Sequence, residues 1–261
     1  YIVTNAHVLQ NSDTFWVTLN DSDEAISADC IGMDTKTDLA VLKINRTGLP
    51  AATIGDSDSL LVGEEVVAIG NPLGELGGSA STGIISALDR ELTVGNKNLT
   101  LLQTDASINP GNSGGGLFDQ YGNLVGIVVA KSTGSDVEGL GFAIPIKEAA
   151  SIAKDLIENG RVTGRAAIGV KIADISDAET ALQYGVKMTG VYIQEVTGSN
   201  AKSAGLQAGD MIYYLEDTKI ETSSDLQSAL SEHKPGETVK LTVIRNNKTV
   251  DLKVKLTEST Q

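Results

Sequence analysis

Short apolar runs separated by turn-forming residues make up the first 145 residues of the chain. The runs are rich in β-branched residues, and no amphipathic helix of useful length interrupts them. Examples are Phe15–Leu19, Leu39–Ile44, Glu65–Ile69, Leu99–Gln103 and Gly141–Ile144. Regularly spaced short strands with Gly, Asn, Asp or Pro between them are typical of a β-barrel or β-sandwich. The sequence therefore predicts a mainly β fold for residues 1–160.

The first helix predicted from the sequence follows Pro145 and ends at Gly160. Its apolar residues recur at helical spacing, at positions Ala149, Ile152, Ala153, Leu156 and Ile157. Proline suits the start of a helix and glycine suits a left-handed stop. We predict a linker at 161–165 after this helix and a small α+β domain over 166–261. Its predicted elements are strands at Ala166–Ile172, Gly190–Val196, Met211–Leu215, Thr238–Ile244 and Thr249–Leu256, and a helix near Ser224–Glu232.

The composition excludes several classes of protein. Twenty Lys and Arg against 34 Asp and Glu give a net charge of −14, and so acidic a surface repels nucleic-acid backbones. No uninterrupted apolar run approaches the ~20 residues of a membrane helix. The single cysteine, Cys30, cannot form an internal disulfide, and we expect it to be a packed thiol. Cysteine and histidine are too few for a structural zinc site.

Three residues in the first domain have the chemistry of a nucleophilic triad. His7 ends a strand-like run, Asp38 opens another, and Ser113 lies in the most glycine-dense stretch of the chain. A serine hydroxyl becomes a nucleophile when an imidazole takes its proton, and a carboxylate orients that imidazole. Glycines beside the serine allow the Gly111 and Ser113 amides to converge on an oxyanion without obstruction by Cβ atoms.

The order of these residues distinguishes two kinds of hydrolase. Chymotrypsin-like barrels carry the three catalytic residues in the chain order His, Asp, Ser. The stretch from Gly111 to Gly115 also fits G-x-S-x-G, the pattern of α/β-hydrolases. In that fold a helix follows the serine and the histidine lies downstream of it. Here glycine and strands follow Ser113, and the downstream histidine, His233, lies deep in the second domain. We therefore favour the chymotrypsin-like barrel.

Several stretches of the chain resemble the HtrA/DegP family of serine proteases. They are Val3–Val8, Thr37–Lys43, Asn109–Gly115 and Gly139–Pro145, and in the second half the PDZ-like stretch Ala204–Ile212. The resemblance implies a chymotrypsin-like double β-barrel followed by a PDZ domain. It implies His7 as general base, Asp38 as its orienting carboxylate and Ser113 as nucleophile. Family members carry one or more strands before the Thr-Asn-Ala-His run that begins here at Thr4, so we expect this chain to lack N-terminal strands of the barrel.

The resemblance also implies which residues contact substrate. Ser107, six residues before the nucleophile, stands at the bottom of the specificity pocket, and the segment Leu140, Gly141 and Phe142 lines substrate. A lysine or arginine side chain beside Ser107 would be buried without a carboxylate, so trypsin-like specificity is not expected. In the second domain, Ile168, Gly169 and Val170 match the loop whose amides receive a peptide's C-terminal carboxylate.

The function expected from the resemblance is ATP-independent proteolysis without a cofactor or metal. Substrates would be unfolded or damaged proteins cleaved after small or medium aliphatic residues. The full-length protein would be a homotrimer located outside the cytoplasm, in the cell envelope. An alternative stays open, in which the barrel is inactive and the chain is a peptide-binding holdase or scaffold.

Overall fold

The computed structural model describes residues 1–19, 22, 24–71, 78–94, 97–129, 139–186 and 188–259. The chain forms two compact units, Tyr1–Val162 and Thr163–Gln261. Within the described ranges, no helix has both the length and the apolar character that crossing a membrane requires. Each unit is described by itself.

The first unit begins with an antiparallel four-stranded sheet. Its elements are β1 (Ile2–Asn5), the one-turn helix α1 (Ala6–Leu9), β2 (Phe15–Thr18), β3 (Ala25–Asp34) and β4 (Leu39–Ile44). The strand order is β1-β4-β3-β2. Strand β4 is buried at every position except Lys43, which agrees with the apolar residues at its other five positions. Its position in the interior of the sheet places the residue before Leu39 beside the end of β1.

A second sheet of the same unit closes on itself. Its elements are β5 (Thr53–Ile54), a 3₁₀ turn at Ser57–Ser59, β6 (Glu65–Gly70), β7 (Ser79–Val94), β8 (Lys97–Thr104), β9 (Gly116–Asp119), β10 (Asn123–Val129) and β11 (Gly141–Pro145). The order is β11-β8-β7-β6-β9-β10-β5, and β10 also pairs with β11. Six strands therefore form a closed barrel, which leaves no free edge among them. Buried residues such as Val66, Ile85, Leu117 and Val128 fill a core of this unit.

The helix predicted after Pro145 is confirmed as α2 (Ile146–Asn159). Its predicted apolar face is buried at Ala149, Ile152, Ala153 and Leu156, against residues of both sheets. Gly160 ends it in the left-handed region, with φ 70°, and donates its N–H to the Leu156 carbonyl at 3.0 Å. Glycine reaches this conformation without a Cβ penalty, which is why the helix stops there.

The prediction that Cys30 is a packed thiol is wrong, because Cys30 is exposed. The pairing of β3 with β4 shifts register between Cys30 and Gly32. The shift breaks the regular alternation of inward and outward side chains, and both Asp29 and Cys30 are exposed. An apolar neighbourhood in the sequence does not reveal such an irregularity.

The second unit is an antiparallel sheet with short helices. Its elements are β12 (Ala166–Ala167), β13 (Val170–Ile175), α3 (Ala178–Gln183), β14 (Gly190–Val196), α4 (Ser199–Ser203), β15 (Met211–Leu215), β16 (Thr218–Lys219), α5 (Ser223–Ser231), β17 (Thr238–Arg245), β18 (Lys248–Lys255) and β19 (Thr257–Glu258). The main order is β13-β14-β15-β17-β18, so β13 lies at an edge. The predicted strand Ala166–Ile172 is divided at Gly169, where φ is +87°. Helix α5 was predicted, whereas α3 and α4 were not.

A largely buried ion pair joins two strands of this unit. Asp210, 1% exposed, accepts from Arg245 Nε at 2.6 Å and from Arg245 Nη2 at 2.7 Å. Arg245 Nη2 also donates to the Gly205 carbonyl at 2.8 Å. The side-chain hydrogen bond to Asp210 raises the pKa of the Arg245 guanidinium, against the opposing effect of burial. The pair connects the turn before β15 to the end of β17.

We predict that Arg245→Met destabilises the second unit by about 3 kcal/mol, because it leaves the Asp210 carboxylate buried without its cation. The matched control is Lys240→Met, which breaks the exposed pair between Lys240 and Asp251 and should cost less than about 1 kcal/mol. Native-state hydrogen exchange of β15 and β17 amides in the whole chain measures both effects. Equal losses in the two variants would contradict this assignment.

Candidate active site

The pairing of β1 with β4 brings His7 and Asp38 together. Asn5 pairs with Leu39 at the end of the two strands, so the chain leaves β1 towards His7 just where it enters β4 from Asp38. His7 Nδ1 lies 2.6 Å from Asp38 Oδ2, and the His7 backbone N–H donates to Asp38 Oδ1 at 3.1 Å. Both carboxylate oxygens therefore contact the same residue.

The burial of the two side chains differs in a way that suits the roles predicted for them. The Asp38 side chain is 4% exposed and the His7 side chain is 37% exposed. A carboxylate at Nδ1 favours the tautomer that carries its proton on that nitrogen. The more accessible imidazole then has Nε2 available to accept a proton. This arrangement can orient the imidazole as a general base and stabilise the imidazolium that forms when it takes a proton.

The main chain of Asp38 is held by the residues before His7. The Asp38 carbonyl accepts from Ala6 N at 2.9 Å and from Asn5 Nδ2 at 3.0 Å. Asp38 has φ +61°, a left-handed conformation that is uncommon outside glycine. Just before it, the buried Asp34 carboxylate accepts from Thr37 N at 3.1 Å and from the Thr37 hydroxyl. The sequence analysis did not identify Asn5, Asp34 or Thr37; the Asp-x-x-Thr spacing of a side-chain-capped turn is the signal that could have done so.

Ser113 lies in a tight loop between β8 and β9. Asn112 N donates to the Asn109 carbonyl at 3.0 Å, with Pro110 and Gly111 between them, and Gly111 has φ +100°. Proline followed by a residue with positive φ defines a type II turn. Gly114 N then donates to the Val128 carbonyl at 2.9 Å, which ties the loop to β10. The turn therefore requires glycine at position 111.

The loop that carries Ser113 packs against the strand that leads to His7. A Cβ atom on Gly114 would overlap Thr4 Oγ1 and would lie 3.0 Å from Asn5 N. Only a residue without a side chain allows this approach, and Gly114 has φ +79° besides. Ser113 is thereby brought to the end of β1, the same end at which His7 and Asp38 meet.

Two of the residues predicted to contact substrate, Ser107 and Gly141, lie close to the segment that leads into this loop. The Ser107 carbonyl accepts from Ser81 Oγ at 2.9 Å and from Asn112 Nδ2 at 3.3 Å, which links it to the residue before Ser113. A Cβ atom on Gly141 would lie 2.5 Å from Ile108 Cγ1, so the start of β11 is close to the Ser107 segment. Leu140 is half-buried, and the Phe142 side chain is buried in the core.

The predicted carboxylate-binding loop precedes the edge strand of the second unit. Ile168 is buried, and the Gly169 carbonyl accepts from Thr197 N at 3.0 Å and Gly198 N at 2.8 Å, on the β14 side. Because the N–H and C=O of a trans peptide point in opposite directions, the Val170 N–H points away from β14. It faces the open edge of β13, where an added strand can pair.

Comparisons with known proteins agree with this geometry. The trypsin-like peptidase domain family matches residues 1–127, and the PDZ domain family matches residues 166–256. The chain is 41% identical over 271 residues to serine protease Do-like HtrA of Bacillus subtilis, covering 98% of this chain and 60% of that protein. It is 40% identical over 278 residues to the protein of the same name from Lactococcus lactis subsp. lactis, covering 100% and 68%.

A comparison with solved structures also finds an HtrA-type protease. The structure of HtrA-type protease AlgW with decapeptide aligns with a TM-score of 0.69 at 36% identity, over 99% of this chain and 79% of that chain. A barrel with an imidazole–carboxylate pair beside a glycine-rich serine loop is the trypsin-like class of peptidase domain, here followed by a PDZ domain. The chain belongs to the HtrA family of serine proteases. The resemblance found in the sequence is confirmed, as is the mainly β fold with a trypsin-like and a PDZ domain.

We predict that Gly114→Ala lowers kcat/KM by about 100-fold, because moving the Ser113 loop away from Thr4 by even 1 Å misaligns the reacting groups. The matched control is Gly122→Ala, since Gly122 has φ +80° but no atom within 4 Å of the added Cβ. Both variants should lose about 1–2 kcal/mol from the left-handed backbone. Activity assays below the unfolding temperature compare them. Similar kcat/KM values for the two variants would contradict the close approach of the loop to β1.

Proposed function

We propose that this chain is an ATP-independent serine endopeptidase of protein quality control that cleaves unfolded or damaged proteins. The observation that carries the proposal is the 2.6 Å contact between His7 and Asp38 at the strand end against which the Ser113 loop packs. Its relatives in the HtrA family are named serine proteases. The chain spans 60% of the length of the Bacillus subtilis relative, so the activity of a whole protein of that length is itself part of the proposal.

In the proposed mechanism, His7 Nε2 takes the proton of the Ser113 hydroxyl as Oγ attacks the scissile carbonyl carbon. The carbonyl oxygen becomes an oxyanion, which the Gly111 and Ser113 amides stabilise by hydrogen bonds. His7 then gives its proton to the leaving amine, and water hydrolyses the acyl-enzyme by the same steps. The support for the oxyanion site is the type II turn at Gly111, whose carbonyl is held by Asn71 N at 3.2 Å.

We assign the specificity pocket to Ser107, Leu140, Gly141 and the main chain of Phe142, because the Phe142 side chain is buried in the core and does not itself face substrate. The proximity of Gly141 to Ile108 supports this grouping. Ser107 is exposed, and because it is uncharged it offers a basic substrate side chain no ion-pair partner. A small or medium aliphatic side chain needs no such partner. Cleavage after such aliphatic residues is therefore the expected specificity.

We infer that the second unit binds peptide C-termini. The carboxylate would contact the amides of Ile168, Gly169 and Val170, and the peptide would pair with the free edge of β13. The outward direction of the Val170 N–H supports this role. In this proposal the protease domain covers 1–160, the linker 161–165 and the PDZ domain 166–261, of which residues 260 and 261 lie outside the described residues.

The proposals on cellular location, oligomeric state and cofactors rest on membership of the HtrA family. Relatives from Halomonas elongata and Chlamydia trachomatis are named probable periplasmic serine endoproteases, which supports a location outside the cytoplasm. We propose a homotrimer for the full-length protein and a reaction without a cofactor or metal. A net charge of −14 supports polypeptide substrates over nucleic acid as partners.

A fluorophosphonate probe separates the endopeptidase from the alternative, an inactive peptide-binding holdase. We predict covalent labelling of the chain that disappears in Ser113→Ala and persists in the control Ser231→Ala on α5. Absence of labelling together with retained binding of unfolded protein would support the holdase.

We also predict that the Asp38→Asn variant folds and that its kcat is about 10⁴-fold lower, because the imidazole is held in the wrong tautomer.

We predict that a peptide with a free apolar C-terminus binds at least about tenfold more tightly than its amidated form, since hydrogen bonds to a charged group contribute about 1.5–3 kcal/mol. Gly169→Ala should remove this preference, because its Cβ would lie 2.9 Å from Gly198 Cα. Gly236→Ala is the control, with φ +92° and no atom within 4 Å of the added Cβ. Calorimetry measures the affinities of both peptides for the parent chain and for the two variants. Equal binding of the two peptides would contradict the assigned loop.

A further inference from the structure

The orientation of Asp38 depends on an unusual backbone conformation. With φ +61°, Asp38 lies in the left-handed region, which costs free energy for a residue with a side chain. Its carboxylate nevertheless makes two contacts at once, with His7 N and His7 Nδ1. A small rotation of the Asp38 main chain would lengthen both contacts together. The surrounding residues must therefore hold this main chain in place.

One support lies before Asp38 in the chain. The Asp34 carboxylate, 5% exposed, accepts from the backbone N–H and from the hydroxyl of Thr37. These two bonds close the turn between β3 and β4 and fix Thr37, whose peptide bond leads directly to Asp38. A buried carboxylate is costly unless it is hydrogen-bonded. The turn therefore has one strongly preferred conformation.

A second support comes from β1. Asn5 is fully buried, and its Nδ2 donates to the Asp38 carbonyl at 3.0 Å, beside the bond from Ala6 N to the same oxygen. Asp34 thus holds the peptide unit before Thr37 and the Thr37 side chain, one residue ahead of Asp38, and Asn5 helps to hold the peptide unit after Asp38. With the chain held on both sides of Asp38, few directions remain open to its side chain.

We propose that Asn5, Asp34 and Thr37 form an orienting brace, a set of positioning residues that hold Asp38 so that it aligns His7 for proton transfer. The proposal rests on the proposed protease function and extends it. None of the three is assigned a contact with substrate. Their contribution is to the rate of the chemical step and not to substrate affinity, because they act only through Asp38.

The test compares variants of the brace with a matched turn elsewhere in the same unit. Asp34→Ala and Thr37→Val weaken one support, and Asn5→Ala weakens the other, in which the bond from Ala6 N remains. Thr37→Ser keeps the hydroxyl and is the conservative rescue. The control is Asp119→Ala, because Asp119 braces the turn after β9 by accepting from Tyr121 N at 2.9 Å and Asn123 N at 2.8 Å.

The first measurement gives kcat and KM at a temperature where every variant is folded. The concentration of active sites is determined by titration with a phosphonate. The brace variants should lose about tenfold or more in kcat, with KM within about twofold of the parent. Thr37→Ser and Asp119→Ala should keep the parent kcat. Parent-like kcat in the brace variants, or an equal loss in Asp119→Ala, would overturn the proposal.

The second readout does not depend on activity. The chain has two histidines, His7 and His233, so nitrogen NMR of histidine-labelled protein resolves the His7 ring. Brace variants should shift the His7 Nδ1 signal and leave His233 unchanged, and Asp119→Ala should shift neither. If the parent chain proves inactive but these shifts occur, the brace stands and the proposed function fails. An unshifted His7 signal in all brace variants would overturn the brace even in an active enzyme.

Discussion

The hydrogen bond between His7 Nδ1 and Asp38 Oδ2 is the interaction on which the arrangement of the first unit's site depends. A buried carboxylate needs partners, and the fold supplies them from one short segment, because the side chain contacts His7 while the carbonyl accepts from Asn5 and Ala6. The register of β1 on β4 makes this possible. A slip of one residue in that register would turn every side chain of β1 to the other face and separate the pair.

Much of the fold follows from local sequence signals. Helix α2 was predicted because its apolar spacing, its preceding proline and its terminal Gly160 all agree. Strand β4 was predicted because it is a short run of mostly apolar residues between polar ones. Features that depend on tertiary context were not predicted. The exposure of Cys30 results from a register shift between strands, and the short helices α3 and α4 have too few turns to show a periodicity.

For the candidate site, the sequence indicated which side chains could act in nucleophilic catalysis. It did not indicate the contacts that hold these side chains in position. His7, Asp38 and Ser113 were predicted from their residue types, their order and their neighbouring glycines. The tight approach of Gly114 to Thr4 and the left-handed backbone of Asp38 are facts of packing, which spacing alone does not contain. The same is true of the second unit, where Gly169 divides a predicted strand and turns an amide towards the open edge of β13.

In the proposed function the two units recognise polypeptide in two ways, by a hydrolytic site in the first and by the edge of β13 in the second. The central claim is that His7, Asp38 and Ser113 act as one catalytic group. A crystal structure of the chain inactivated by a peptide phosphonate tests it most directly. We predict phosphorus bonded to Ser113 Oγ, with its anionic oxygen on the Gly111 and Ser113 amides and His7 beside the adduct. An adduct on another residue, or Ser113 modified with His7 turned away from Asp38, would contradict it.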